Sequence, residues 1–247
     1  MKRGVRLLAA LAAVAVGLVV GYRQILPPVS LPANFSETEI GLSEASEGPD
    51  LNLLLSHIKA MAKQAHPVDS PALLEAQDYV MQQLTLMGYN YEEHVYQLTI
   101  PEILALEQQR VDWGRKAFRT TEESIRDYSG IGDKPAMRLN NIVVTLDAPE
   151  TDDTILFMAH TDSVKMGPGA FDDTVSVAAQ LEGLRQLQGR VPVRDLVFLF
   201  SDGEEQGLLG AAKFVEDNPQ LKDRTRLVIN LEARGNHGAL IMFETSK

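Results

Sequence analysis

Apolar positions recur at helical spacing in two segments of the first half of the chain. Asp50 precedes a run in which apolar residues fall every three or four positions as far as Ala65. A second run follows Ser70, which is a natural N-cap, and Pro71, which suits the first helical turn; Gly88 would end it. The pattern therefore predicts two amphipathic helices.

Short apolar runs replace the helical pattern beyond Asn140. Their Val, Ile, Leu and Phe content is typical of buried strands. These runs are Ile142–Leu146, Ile155–Ala159, Leu196–Phe200, Leu227–Leu231 and Leu240–Phe243. Helical stretches lie between them at Asp173–Gln188 and Gly207–Glu216. This alternation predicts an α/β fold in three layers, with helices on both faces of a mostly parallel mixed sheet.

The beginning of the chain has the pattern of a targeting segment. Three basic residues precede an uncharged apolar span from Leu7 to Tyr22, which is slightly shorter than the about 17–25 residues of a full membrane span. Because no good cleavage site follows, we predict that residues 1–26 are an uncleaved signal-anchor, with a cleaved peptide and a secreted protein as the alternative. The basic residues favour a cytoplasmic N-terminus, so the rest is expected in a periplasmic, extracellular or lumenal space.

The remainder divides into a linker and one domain. Residues 27–49 contain several prolines and a polar stretch, and are predicted to be a linker. Residues 50–247 are predicted to form the α/β domain. Within it, residues 98–138 are rich in charge and include Trp113, the single tryptophan of the chain; they are predicted to be a partly helical insertion.

Composition and charge exclude several classes of function. Of the 247 residues, 45% are hydrophobic, which excludes disorder for most of the chain. The 23 basic and 34 acidic residues give a net charge of −11 without any Lys/Arg-rich stripe, so no nucleic-acid partner is expected. Since there is no cysteine and there are only five histidines, any metal must be held by imidazole and carboxylate groups.

Acidic residues and one histidine follow successive predicted strands. His160 and Asp162 follow one strand, Glu204 and Glu205 follow the next, and Glu232 follows a third. Ligands of doubly wound sheets bind beyond the carboxyl ends of the strands, so these side chains are expected to converge. Motifs of single-helix zinc proteases, α/β-hydrolases and phosphate loops do not occur in the sequence.

Such convergence predicts a metal site, because crowded carboxylates are costly unless cations neutralise them. One imidazole with several carboxylates suits Zn²⁺, Mn²⁺ or Co²⁺. Asp172, which a Gly/Pro turn delivers to a helix start, has two oxygens with which to bridge two ions. Asp162 can accept the free ring N–H of His160. Of Glu204 and Glu205, one can bind metal while the other acts as general base.

The order of these motifs resembles metallopeptidase family 28, the co-catalytic zinc aminopeptidases that include endoplasmic-reticulum metallopeptidases. The matching motifs are His160-Thr161-Asp162, Pro168-Gly169-Ala170-Phe171-Asp172-Asp173, Asp202-Gly203-Glu204-Glu205 and Asn230-Leu231-Glu232, with His66-Pro67-x-x-Ser70 and Leu86-Met87-Gly88-Tyr89 upstream. The resemblance covers about residues 50–95 and 138–245 and implies a zinc-exopeptidase-like fold.

The resemblance also implies a role for each residue. The metal ligands would be His160, Asp172, Glu205 and Glu232. Among them Asp172 would bridge two zinc ions, with Mn²⁺ or Co²⁺ as alternative metals. Glu204 would be the general base, and Asp162 would orient the ring of His160. The implied reaction is aminopeptidase hydrolysis, in which a water activated by the two ions removes N-terminal residues from a peptide. The expected partners are a peptide substrate and, through the N-terminal segment, a membrane; the oligomeric state is left open.

One departure from the family pattern keeps other functions open. The family's final histidine ligand has no counterpart before Lys247, and His237 lies too close to Glu232 to be a good substitute. The domain is therefore expected to be incomplete at its C-terminus. The alternatives are a single-zinc enzyme similar to glutaminyl cyclase, and a membrane-anchored ectodomain without catalytic activity.

Overall fold

The computed structural model describes residues 48–112 and 136–232. The predicted anchor, most of the predicted linker and the predicted strand Leu240–Phe243 lie outside these ranges. In chain order, the described elements are α1 (Leu51–Met61), α2 (Pro71–Leu86), β1 (Glu92–Thr99), α3 (Ile100–Asp112), β2 (Ala136–Leu146), β3 (Thr154–His160), an irregular turn (Ala170–Thr174), α4 (Val175–Leu187), β4 (Asp195–Ser201), α5 (Leu209–Asp217), α6 (Leu221–Arg224) and β5 (Thr225–Asn230).

The first two helices begin where the sequence predicts them. The carboxylate of Asp50 accepts hydrogen bonds from the backbone N–H groups of Asn52 (2.9 Å) and Leu53 (3.1 Å) at the start of α1. The hydroxyl of Ser70 accepts one from Leu73 (3.1 Å) at the start of α2. These side chains satisfy N–H groups that have no partner within the helix, which is why the two helices start there.

The sheet is mixed, with the strand order β1-β2-β4-β3-β5 among the described residues. Strand β3 is parallel to its neighbours β4 and β5, whereas β2 is antiparallel to β1 and β4. Four strands therefore point one way and β2 opposes them, which confirms the predicted α/β class. Strand β1 has no counterpart among the strands predicted from sequence, because its residues are mostly polar and exposed.

Helices cover both faces of this sheet. Phe198 and Phe200 of β4 pack into a core with residues of α1, α2 and α4. The alternate residues Val197 and Leu199 point the other way and pack with Phe214 of α5, because successive side chains of a strand point to opposite faces. The described part of the chain thus has the predicted three layers.

The described ends of the predicted insertion, residues 98–138, belong to a strand pair. Leu98 in β1 lies opposite Met137 in β2, and Thr99 lies opposite Ala136. Helix α3 follows β1 directly, in agreement with the predicted helical content, and residues 113–135 lie outside the described ranges.

No helix in the described ranges is both long enough and apolar enough to cross a lipid bilayer.

Candidate metal centre

Three parallel strands deliver the predicted site residues to one edge of the sheet. His160 is the last residue of β3, Glu204 and Glu205 follow β4, and Glu232 follows β5. Asp172 lies in the irregular turn between β3 and α4, where its backbone angles depart from helical values. Because β3 is bonded to both β4 and β5, the carboxyl ends of all three strands lie side by side.

His160 lies at the centre of this group. Its Nε2 atom is 3.1 Å from Oδ1 of Asp172, 3.9 Å from Oε2 of Glu204 and 3.9 Å from Oε1 of Glu232. Two groups of three residues each offer ligand atoms that lie within 4.8 Å of one another: His160 with Glu204 and Glu205, and His160 with Asp172 and Glu232. The structure therefore brings all the predicted ligands and the predicted base together.

The donor set fits a divalent cation. The buried Oε1 atom of Glu205 accepts no hydrogen bond within the described residues. Burial raises the pKa of Glu205, and the negative charge of Asp172 raises it further. Burial likewise raises the pKa of Glu204 to about 7. A cation would complete the coordination of the Glu205 oxygen and offset the repulsion between these carboxylates, and imidazole plus carboxylate oxygens suit zinc, manganese or cobalt.

The ring of His160 faces an acceptor at each nitrogen. Nδ1 is 2.9 Å from the backbone oxygen of Asp162, and Nε2 is 3.1 Å from the carboxylate of Asp172. A neutral imidazole has one N–H and can satisfy one of these acceptors. Burial opposes the charged form, but the hydrogen bonds to Asp162 and Asp172 outweigh it and raise the pKa of His160. A metal ion at Nε2 would replace that proton and leave the Nδ1–H bond in place.

Asp162 lies beside His160, but its carboxylate forms hydrogen bonds that the sequence does not predict. Its carboxylate was expected to accept the ring N–H, whereas its backbone oxygen is the nearer acceptor and its Oδ1 atom is 3.5 Å from Nδ1. The two carboxylate oxygens instead accept the backbone N–H groups of Glu204 (3.0 Å) and Glu205 (3.2 Å). Asp162 therefore holds the backbone from which both glutamates project.

A buried polar network behind the site was not predicted. Asp202 is buried, and its Oδ2 atom accepts the backbone N–H of Asn140 (2.8 Å) and a side-chain N–H of Gln77 (3.1 Å). Gln77 also donates to the hydroxyl of Thr161 (3.2 Å). Helix α2 is thereby tied to the segments that follow β3 and β4. The sequence contained one signal of this network, a glutamine on the apolar face of α2 four residues after Leu73.

The segment that carries Asp172 is fixed from two sides. The hydroxyl of Ser163 accepts the backbone N–H of His66 (2.9 Å) and donates to the backbone oxygen of Gly167 (3.0 Å). Gly169 has φ +62°, and a Cβ atom there would lie 2.7 Å from that of Ser163. Asp173, joined to Asp172 by a cis peptide bond, accepts the backbone N–H of His160 (3.2 Å). These bonds hold Asp172 beside β3.

The fold is shared with an aminopeptidase and a glutaminyl cyclase of known structure. An aminopeptidase from Aneurinibacillus sp. strain AM-1 superposes with a TM-score of 0.57 and 17% identity, over 75% of this chain and 70% of that one. A glutaminyl cyclase from Fimbriiglobus ruber superposes with a TM-score of 0.56 and 12% identity, over 77% of this chain and 63% of that one. At these identities the likeness concerns the fold.

Sequence comparison supports the predicted resemblance. Residues 141–247 match the model of peptidase family M28, the family that the order of the motifs predicts. The putative endoplasmic reticulum metallopeptidase 1 of Schizosaccharomyces pombe is 33% identical over 175 residues, 65% of this chain and 21% of that protein. The vacuolar membrane protease of Saccharomyces cerevisiae (strain YJM789) is 27% identical over 213 residues, 84% of this chain and 20% of that protein. The chain thus spans about a fifth of the length of these curated relatives.

Proposed function

We propose that the domain is a zinc-dependent aminopeptidase that removes N-terminal residues from peptides. The observation that carries the proposal is the convergence of five side chains from three strand ends and one turn into two overlapping groups of ligand atoms. The two groups share His160, and they offer Asp172 and Glu232 on the one hand and Glu205 on the other as ligands for two ions. The match of residues 141–247 to peptidase family M28 and the fold shared with an aminopeptidase support the same assignment.

The proposed ligands divide between two ions. His160 and Glu232 would hold one ion, Glu205 the other, and Asp172 would contact both. When bound, such ions supply Lewis-acid polarisation of the substrate carbonyl and lower the pKa of water. The exposed side chain of Asp172 leaves this side of the centre open to a substrate.

Glu204 is the proposed general base. Its carboxylate lies within 3.9 Å of the ring of His160, and burial keeps its pKa near neutrality, at about 7. A group with such a pKa can take a proton from the attacking water and return it to the leaving amine at neutral pH. Asp162 holds the backbone N–H groups of Glu204 and Glu205, and so keeps the base and the neighbouring ligand in fixed relative positions.

Hydrolysis of aminoacyl anilides with added zinc tests the proposal. The substitution Glu204→Gln keeps the size of the side chain and removes its basic oxygen, so we expect kcat to fall by about 10²–10⁴-fold. Glu150→Gln, at an exposed position outside the site, is the matched control and should retain full activity. Zinc-dependent hydrolysis that survives Glu204→Gln unchanged would contradict the assignment of the base.

A single-zinc glutaminyl cyclase is the second candidate. The group His160, Asp172 and Glu232 is by itself sufficient to hold one ion, and the solved neighbours include several glutaminyl cyclases. Parallel assays on one peptide with N-terminal glutamine separate the two functions, because cyclisation releases ammonia and hydrolysis releases free glutamine. A chain that does neither and binds no zinc would be the non-catalytic ectodomain.

We also propose that residues 1–26 anchor the domain to a membrane, with the domain outside the cytoplasm. The basic residues before the apolar span support this orientation, and the name of the S. cerevisiae relative places that protein in the vacuolar membrane. Protease digestion of intact and of permeabilised membranes tests it. The domain should be cleaved from the non-cytoplasmic side only, and cleavage from the cytoplasmic side would overturn the orientation.

A further inference from the structure

The end of the domain opposite the metal centre exposes large apolar side chains. They are Leu51 (68% exposed), Leu86 (80%), Val191 (73%) and Val193 (87%), and together they are called the apolar end below. Among the other described residues only Met166, which lies on the metal-centre side, is similarly exposed at 94%. Exposed apolar groups that gather at one end of a domain indicate an interaction surface, whereas isolated ones do not.

Helix packing explains why these residues share one end. Helix α4 runs from the metal centre to the loop 188–194, which leads into the amino end of β4. Helix α1 starts beside the second half of α4, where the backbone N–H of Asp50 donates to Glu182 (3.0 Å). Helix α2 ends beside the end of α4, where Gln188 donates to the backbone oxygen of Met87 (2.8 Å). The start of α1 and the ends of α2 and α4 thus face away from the metal centre.

The loop of the apolar end combines apolar and basic groups. Val191 and Val193 flank a proline and lie between Arg190 and Arg194. Arg194 forms an ion pair with Asp153 (2.6 Å), whereas Arg190 is exposed and makes no ion pair with any described residue. Apolar side chains beside a free arginine suit the boundary between lipid headgroups and acyl chains, where arginine can reach the phosphates.

We propose that the apolar end lies on the surface of a lipid bilayer. The position of the remaining chain favours this occupant over a second protein. The described chain begins at residue 48, immediately before α1, and therefore enters the domain at the apolar end. The apolar span Leu7–Tyr22 lies upstream, and a random-coil chain as long as residues 23–49 has an end-to-end distance of about 30 Å. The end at which the chain enters the domain is therefore the end placed against the lipid.

This placement has a consequence for the metal centre. The metal centre lies at the carboxyl ends of β3, β4 and β5, so it would face away from the membrane and be open to soluble peptides. The inference rests on the proposed anchoring of residues 1–26 and is independent of the proposed peptidase activity.

Site-directed fluorescence on the full chain in liposomes tests the proposal. Because the chain has no cysteine, Val193→Cys and Leu86→Cys each give one labelling site at the apolar end, and Met166→Cys gives a matched exposed site at the other end. An environment-sensitive label is attached, and the liposomes contain phosphatidylcholine and phosphatidylglycerol with or without nitroxide-labelled lipid. We expect the nitroxide lipid to quench most of the fluorescence at positions 193 and 86, and aqueous iodide to quench only position 166.

The outcomes are distinguishable. A label at Ala12→Cys reports anchoring: if position 12 is quenched by nitroxide lipid while positions 193 and 86 are quenched by iodide, the anchor stands and the proposal is wrong. Labels at 193 and 86 that are shielded from both quenchers only at high protein density would indicate a second copy of the chain, and would also overturn it. Thermal unfolding of each labelled protein verifies that the exposed substitutions leave the fold intact.

Discussion

Replacing Asp162 with asparagine tests how the two glutamates are held. In the native chain its two carboxylate oxygens accept the N–H groups of Glu204 and Glu205, at 3.0 and 3.2 Å. Asparagine keeps one acceptor oxygen, and its NH2 group would face the other N–H donor. The variant therefore loses one charge-assisted hydrogen bond and sets two donors against each other.

The magnitude follows from that lost bond. A hydrogen bond to a charged group contributes about 1.5–3 kcal/mol, and residues that orient metal ligands typically cost about 10–100-fold in metal affinity when they are changed. We expect Asp162→Asn to weaken zinc binding within that range. Zinc at a fixed concentration well above the native Kd would then stabilise the variant by about 1.4–2.7 kcal/mol less than the native chain.

Zinc titration by calorimetry, together with thermal unfolding with and without zinc, measures both quantities. Asp153→Asn is the matched control: it removes a carboxylate at the opposite end of the sheet, where Asp153 pairs with Arg194 and Arg226. The control should alter the stability of the fold and leave the zinc affinity unchanged. If Asp162→Asn binds zinc as tightly as the native chain, Asp162 does not position the ligands and the reasoning is wrong.

Three further variants test the packing around the site, each by urea denaturation. Gly210→Ala places a methyl group against the backbone oxygen of Asp202 and the side-chain oxygen of Asn141, and should cost about 1–3 kcal/mol; an unchanged midpoint would contradict this contact. Phe200→Ala empties a fully buried site in the core and should cost about 3–5 kcal/mol; a smaller loss than that of an exposed Phe171→Ala would refute the assigned core. The pKa of Glu182 lies at about 2, below the ordinary 4.5, mainly because Glu182 accepts a hydrogen bond from Arg185. Because that pKa is lowered in the folded state, the stabilisation is present above about pH 5 and is lost as the pH falls towards 2. Glu182→Gln should therefore cost about 1–2 kcal/mol at pH 7, since Arg185 is partly exposed, and nothing near pH 2; a loss that does not vary with pH would rule out the ion pair as its cause.

Local sequence patterns were sufficient for the elements near the site. The caps at Asp50 and Ser70 and the apolar runs that became β3 and β4 were predictable because each depends on a few neighbouring residues. The first helix nevertheless ends at Met61, one turn before the apolar pattern does, because Ala62 leaves the helical conformation. Strand β1 was not predicted, since its eight residues are held by pairing with β2 rather than by an apolar face.

The convergence of the candidate site residues was predictable from the sequence, but the contacts that support them were not. Residues that follow parallel strands must meet at one edge, so the convergence of His160, Glu205 and Glu232 follows from topology. The bond pattern of Asp162 and the contact of Gln77 with Asp202 depend on which long-range segments approach each other. Such contacts leave only weak signals in one sequence.

The number of zinc ions bound per chain decides whether the candidate site holds a pair of adjacent ions. Elemental analysis after equilibrium dialysis of the full chain should give about two zinc ions, as a pair of adjacent ions requires. The substitution Asp172→Asn should reduce this number, because both ions are proposed to contact that residue. A native chain that retains no zinc, or that binds two zinc ions regardless of changes at His160, Asp172 and Glu205, would contradict the account.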